Sequence, residues 1–136
     1  MSDSYRLEIP SDPKEIMSVE KFLEDINEKL RLDEMRFNKL LVATTEAVNN
    51  GIIHGNKRDM AKKVLLRVDV NSTTMTVRVR DEGKGVDVET IPDPLAEENL
   101  LRENGRGVFL IRSLMSSVDF ERLPDGWEVT MKMELE

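Results

Sequence analysis

The sequence predicts an α/β fold of the α+β kind, a two-layer sandwich in which helices cover one face of a mixed sheet of about five strands. Three observations carry this. Two stretches in the first half repeat apolar residues at helical spacing, and a third follows late in the chain. About five short segments alternate apolar with polar residues, so the sheet they form has one apolar and one polar face. The apolar face must be covered, and helices from both halves of the chain are the elements able to cover it.

Taken in order, Tyr5, Leu7 and Ile9 alternate with Arg6 and Glu8 in a short half-buried strand. Asp12, Pro13 and Glu15 then mark a helix start: an N-cap, a proline at the first helical position and a returning carboxylate. Ile16, Val19, Phe22 or Leu23, Ile26 and Leu30 give this helix one core face, opposite Glu20, Lys21, Glu24 and Glu28. Asp33 caps a second helix, which Gly55 is placed to end as a left-handed residue. Asn56 to Lys62 reads as a polar connection.

In the strand from Lys63 to Asn71, Val64, Leu66, Val68 and Val70 face one way. Ser72 and Thr73 form a hairpin turn into Thr74 to Asp81, where Met75, Val77 and Val79 point inward. Residues 86–104 contain Pro92 and Pro94 and are longer than most connections in compact domains, so this segment reads as a lid. A helical face of Val108, Ile111, Leu114 and Met115 follows. Val118 to Arg122 and Trp127 to Leu135, joined through Pro124-Asp125-Gly126, make a terminal hairpin.

The 136 residues suit one domain spanning 1–136, with 27 acidic against 20 basic side chains and a formal charge of −7. That balance argues against nucleic acid as a partner. The absence of cysteine, of a signal segment and of any apolar run near the roughly 18 residues of a membrane span leads to the expectation of a cytoplasmic protein without membrane contact.

The second helix has unexpected residues on one side. Leu41, Thr44, Val48 and Ile52 form an apolar stripe, yet Val42, Ala43 and Ile53 lie opposite it, with Glu46 and Asn50 among them. A helix apolar nearly all round is normally buried on two sides. Glu46 and Asn50, four apart, lie one above the other. Together they suit a hard cation such as Mg²⁺ or the orientation of a nucleophile, unless they are ordinary solvated polar residues. Period two also turns Asp81 inward at its strand end, where a carboxylate needs a partner or ligand, or else fixes the turn through neighbouring N–H groups. Gly83 and Gly85 follow it, and Gly105 and Gly107 precede the late helix, where close backbone approach and exposed N–H groups attract phosphate. Each Gly-x-Gly pair alone is more often a turn.

Glu46-x-x-x-Asn50 ending in His54-Gly55, Asp81-x-Gly83-x-Gly85, a lid, and Gly105-x-Gly107 entering a helix together resemble the ATP-binding domain shared by gyrase, certain chaperones, histidine kinases and mismatch-repair proteins, the GHKL family with its Bergerat fold. The wording EAVNNGIIHGN, DEGKGVD and GRGVFLIRSLM is most similar to the bacterial anti-sigma factor serine-protein kinases. The resemblance implies an Mg-ATP-dependent kinase that phosphorylates a serine on an antagonist protein and sequesters a sigma factor; the alternative is a nucleotide-gated binding module with little or no transfer. It implies Asn50 as the Mg²⁺ ligand, Glu46 as base or orienter for the attacking hydroxyl and Asp81 as acceptor for the adenine amine. Gly83 and Gly85 would admit the base. Gly105, Arg106, Gly107 and Val108 would surround the phosphates, with Arg106, or Arg102, at the terminal one. His54, the single histidine, takes a structural role near the helix end, and the eight methionines fill the core. Similar regulators are dimers, and the polar sheet face or a strand edge offers a surface for a homodimer.

Overall fold

The computed structural model describes residues 2–83 and 110–135. The chain runs β1 (Asp3–Pro10), a 3₁₀ turn (Pro13–Glu15), α1 (Ile16–Leu30), α2 (Glu34–Asn50), a π-helical turn (Gly51–Gly55), β2 (Lys63–Val70), β3 (Thr74–Asp81), β4 (Ser117–Leu123) and β5 (Gly126–Glu134). The strands form a five-stranded sheet in the order β1-β2-β3-β5-β4. Each neighbouring pair is antiparallel, so the expected mixed sheet is antiparallel throughout the described strands. Two tight hairpins connect β2 to β3 and β4 to β5, and such connections reverse the chain.

Strand parity sets the two layers. On β2, Val64, Leu66, Val68 and Val70 are buried, and on β3 Met75, Val77, Val79 and Asp81. Trp127, Val129, Met131 and Met133 continue the inward set on β5. Val19, Leu23 and Ile26 of α1 and Leu40, Ala43, Ala47 and Val48 of α2 close over this face, with Leu23 rather than Phe22 fully buried. Ile111 and Met115, at and just after the helical turn 110–114, join the same core. Four of the methionines are core filler as expected, namely Met75, Met115, Met131 and Met133; Met17, Met35 and Met60 are exposed.

The outer face is polar, and an aspartate on it offsets a row of arginines. Arg6, Arg67 and Arg78 stand directly opposite one another on β1, β2 and β3. Like charges so placed repel, and Asp69 relieves the repulsion by meeting Arg67 at 3.1 Å and Arg78 at 3.0 Å.

Local signals explain most element ends. Asp12 caps the 3₁₀ turn through the Lys14 N–H. The Glu15 carboxylate accepts from the Ser18 hydroxyl instead of returning to the cap, because the Asp12 N–H is already donated to the Pro10 carbonyl. Arg31 ends α1 in the left-handed region, with the Asn27 amide oxygen accepting the Leu32 N–H. Asp33 accepts from Arg36 N and starts α2. In the β2–β3 turn, the Asn71 side chain accepts from the Thr73 and Thr74 N–H groups. No helix among the described residues is long and apolar enough to cross a membrane.

The end of α2 departs from expectation twice. Gly55 is not the left-handed terminator; Lys57 and Arg58 take that conformation, at φ 52° and 58°. The last turn is also wider than an α-helix, with the Asn56 N–H donating to the Gly51 carbonyl five residues back. Nor is α2 buried on two sides: its core face holds Leu40, Ala43, Thr44, Ala47 and Val48, while Val42 stays 40% exposed.

Candidate functional site

The end of α2 meets the tip of β3, and this meeting builds the site. Gly51 and Gly55, four residues apart, put no side chain on the face of the π turn turned toward β3. The Asp81 carboxyl occupies that space. A Cβ on Gly51 would stand 3.5 Å from the Asp81 Cβ and 3.6 Å from its Oδ2, an ordinary contact. A Cβ on Gly55 would overlap the carboxyl itself, so glycine is required there for the acid to sit where it does. A Cβ on Gly83 would overlap the Gly55 carbonyl in the same way, so the strand tip lies this close to the helix end because both residues are glycine.

Asp81 is 6% exposed. Its Oδ1 accepts the Gly83 N–H at 2.8 Å. Burial pushes its carboxyl up to about 6 from 3.8, while the Gly83 hydrogen bond and the charge of Lys62 pull the other way. The inward parity read from the sequence is therefore present, and so is the turn-fixing bond that was the competing explanation. The two are compatible, because a carboxylate has a second oxygen to offer.

Glu46 and Asn50 are both half-buried and lie one turn apart on α2, Asn50 being its last residue before the π turn. Neither is a fully solvated residue. The donor set is one carboxylate and one amide oxygen, and no group of three or more His, Cys, Asp or Glu able to hold a metal occurs among the described residues. Such a sparse set suits Mg²⁺, which keeps much of its water and is completed by phosphate oxygens, better than a cation that needs a full protein cage. Asn50 and Glu46 offer the amide oxygen and the carboxylate of such a set. His54 is half-buried in the last turn of the π segment.

Gly85, Arg102, Gly105, Arg106, Gly107, Val108 and the segment 86–104 lie outside the described residues.

Sequence reading missed one member of this assembly. Asn56, taken for part of a polar connection, is 1% exposed. Its Oδ1 accepts the Glu82 N–H at 2.8 Å, and its Nδ2 donates to the Lys63 carbonyl at 3.0 Å and to Ser11 Oγ at 2.9 Å. Ser11, itself fully buried, donates to the Lys62 carbonyl at 2.7 Å. These partners lie up to 45 residues away, beyond any local periodicity.

Residues 9–133 match the histidine kinase-like ATPase domain family. A protein of Listeria innocua named serine-protein kinase RsbW is 25% identical over 124 residues, covering 87% of this chain and 79% of that protein. An anti-sigma F factor of Oceanobacillus iheyensis is 32% identical over 107 residues, covering 76% and 72% respectively. Among solved structures, the RsbU and RsbW domains of a Mycobacterium tuberculosis protein superpose with a TM-score of 0.72 at 13% identity, over 98% of this chain and 32% of that one. At that identity the likeness speaks for the fold alone, and it agrees with the α+β sandwich described above. The chain belongs to the histidine kinase-like ATPase domain family, a family of ATPase and kinase domains whose members similar to it carry the names serine-protein kinase and anti-sigma factor.

Proposed function

We propose that residues 1–136 form one ATP-binding domain that acts as an Mg-ATP-dependent serine-protein kinase of the anti-sigma factor type, phosphorylating an antagonist protein and holding a sigma factor. The observation that carries this reading is the Asp81 carboxyl, buried against a glycine-faced helix end one turn from Asn50 and two from Glu46. A buried acid in such a place has use for a hydrogen-bond donor, and the exocyclic amine of adenine is one. Asn50 holds the magnesium that accompanies the triphosphate, and magnesium there supplies neutralisation of phosphate charge. Glu46 takes the proton of the partner's serine hydroxyl as its oxygen bonds to the γ-phosphorus. The bond from that phosphorus to the bridging oxygen breaks, and ADP leaves. The names of the relatives in Listeria and Oceanobacillus support both the kinase and the sigma-factor halves of the reading.

Incubation with γ-labelled ATP and an antagonist protein tests it. Label on a partner serine that disappears in Glu46→Ala, while ATP binding persists, is the expected result. Partner binding controlled by ATP without any transfer would replace the kinase with a nucleotide-gated binding module.

A further inference from the structure

We propose that Asn56 is the positioning residue that fixes base selectivity, by holding the Asp81 strand tip in register with the helix end. The inference rests on the assignment of Asp81 to the adenine amine. Three chain segments meet at the Asn56 side chain, and their requirements differ in sign. The Glu82 N–H can only donate, so the group facing it must accept. The Lys63 carbonyl can only accept, so the group facing it must donate. A short side chain with an acceptor and a donor on one carbon meets both. Asparagine is that residue; aspartate lacks the donor, leucine lacks both, and glutamine is longer by a methylene.

The consequence for Asp81 follows from the backbone. Glu82 is the next residue, and its own carboxylate accepts the Lys63 N–H, so the tip of β3 is tied to the start of β2 on both sides. At the other end, Asn56 directly follows Gly55, against which the Asp81 carboxyl rests. One buried amide therefore sets the distance between the acid and the glycine face. Ser11 anchors the amide from behind, joining Asn56 Nδ2 to the Lys62 carbonyl. A carboxylate set free to shift would still carry its charge but would no longer meet a donor at a fixed place. Recognition of an amine over a carbonyl oxygen depends on that placement, whereas the phosphate end of the nucleotide does not.

Calorimetric affinities for Mg-ATP, Mg-GTP and inorganic tripolyphosphate in the parent, Asn56→Asp and Ser11→Ala test this. Asn56→Asp keeps size and acceptor but loses the donors, and its preference for ATP over GTP should fall by roughly tenfold, as loss of one hydrogen bond to a charged group would cause. Its tripolyphosphate affinity should not change. Ser11→Ala, which leaves the bonds to Glu82 and Lys63 intact, should lower the melting temperature yet keep the preference. If Asn56→Asp does not fold, Asn56→Ser, too short to span both partners and roomy enough for water, takes its place with the same expectation. A folded Asn56 variant with the parental ATP-to-GTP ratio overturns the proposal, as does equal loss of the ratio in Ser11→Ala. A parent that binds tripolyphosphate without preferring ATP would instead overturn the Asp81 assignment itself, and this proposal with it.

Discussion

Replacing Asp81 by asparagine should stabilise the nucleotide-free protein while it spoils adenine selection, and the pH dependence separates the two effects. In the folded chain the carboxyl ionises near 6 in place of 3.8, mainly because burial disfavours its charged form. Below the lower value both folded and unfolded chains carry the proton, and the acid is neutral in each. Between the two values the unfolded chain gives up its proton and the folded chain keeps it, so stability falls as pH rises. Above the upper value the fold holds a carboxylate it would rather not bury. A gap of about two pH units corresponds to about 3 kcal/mol. The asparagine side chain keeps the shape and an oxygen for the Gly83 N–H but does not titrate. Urea unfolding of parent and Asp81→Asn from pH of about 4 to about 8 should therefore show the variant gaining on the parent by up to about 3 kcal/mol across the lower half of the range, then keeping that lead unchanged. Every other carboxylate titrates in both proteins and cancels in the difference. Stability curves that stay parallel across the whole range would refute the reasoning.

Other outcomes follow from the same geometry. The ionised Asp81 is the stronger acceptor for an amine, so ATP affinity measured by calorimetry should fall by at most roughly tenfold as pH drops through 6 and then level off, and Asp81→Asn should lack that step. Asn50→Ala should unfold at the parental temperature without ligand and lose the rise that saturating Mg-ATP gives the parent; equal rises would remove Asn50 from the metal role. Gly55→Ala forces a Cβ into the Asp81 carboxyl and should cost about 1–3 kcal/mol in urea unfolding, with ATP binding weakened in parallel. Leu66→Ala, in the centre of the buried face of β2, should cost about 2–5 kcal/mol and leave ATP affinity per folded molecule unchanged.

Much of this protein is written locally. The alternation in β2, β3 and β5 and the helical stripe of α1 give the layers, because side-chain parity and period follow from backbone geometry alone. Caps at Asp33 and the Asn71 turn are equally local, each a side chain bonding N–H groups two or three residues away. The inward turn of Asp81 belongs here too, as a matter of counting by twos along β3. What needed tertiary structure involves partners distant in the chain. Strand direction in the sheet depends on the order β1-β2-β3-β5-β4, which no single segment specifies. The need for glycine at position 55 comes from Asp81, 26 residues on, whose carboxyl fills the space a Cβ there would take. Asn56 looks like any polar residue after a helix until β1, β2 and β3 close around it, and only then do one N–H and one carbonyl demand an amide between them. The sequence alone determined the buried faces of the strands and of α1 and which acid points inward; the assembled sheet decided which side of α2 is covered and what that acid rests against, since hydrogen-bond complementarity between remote segments exists only after they meet.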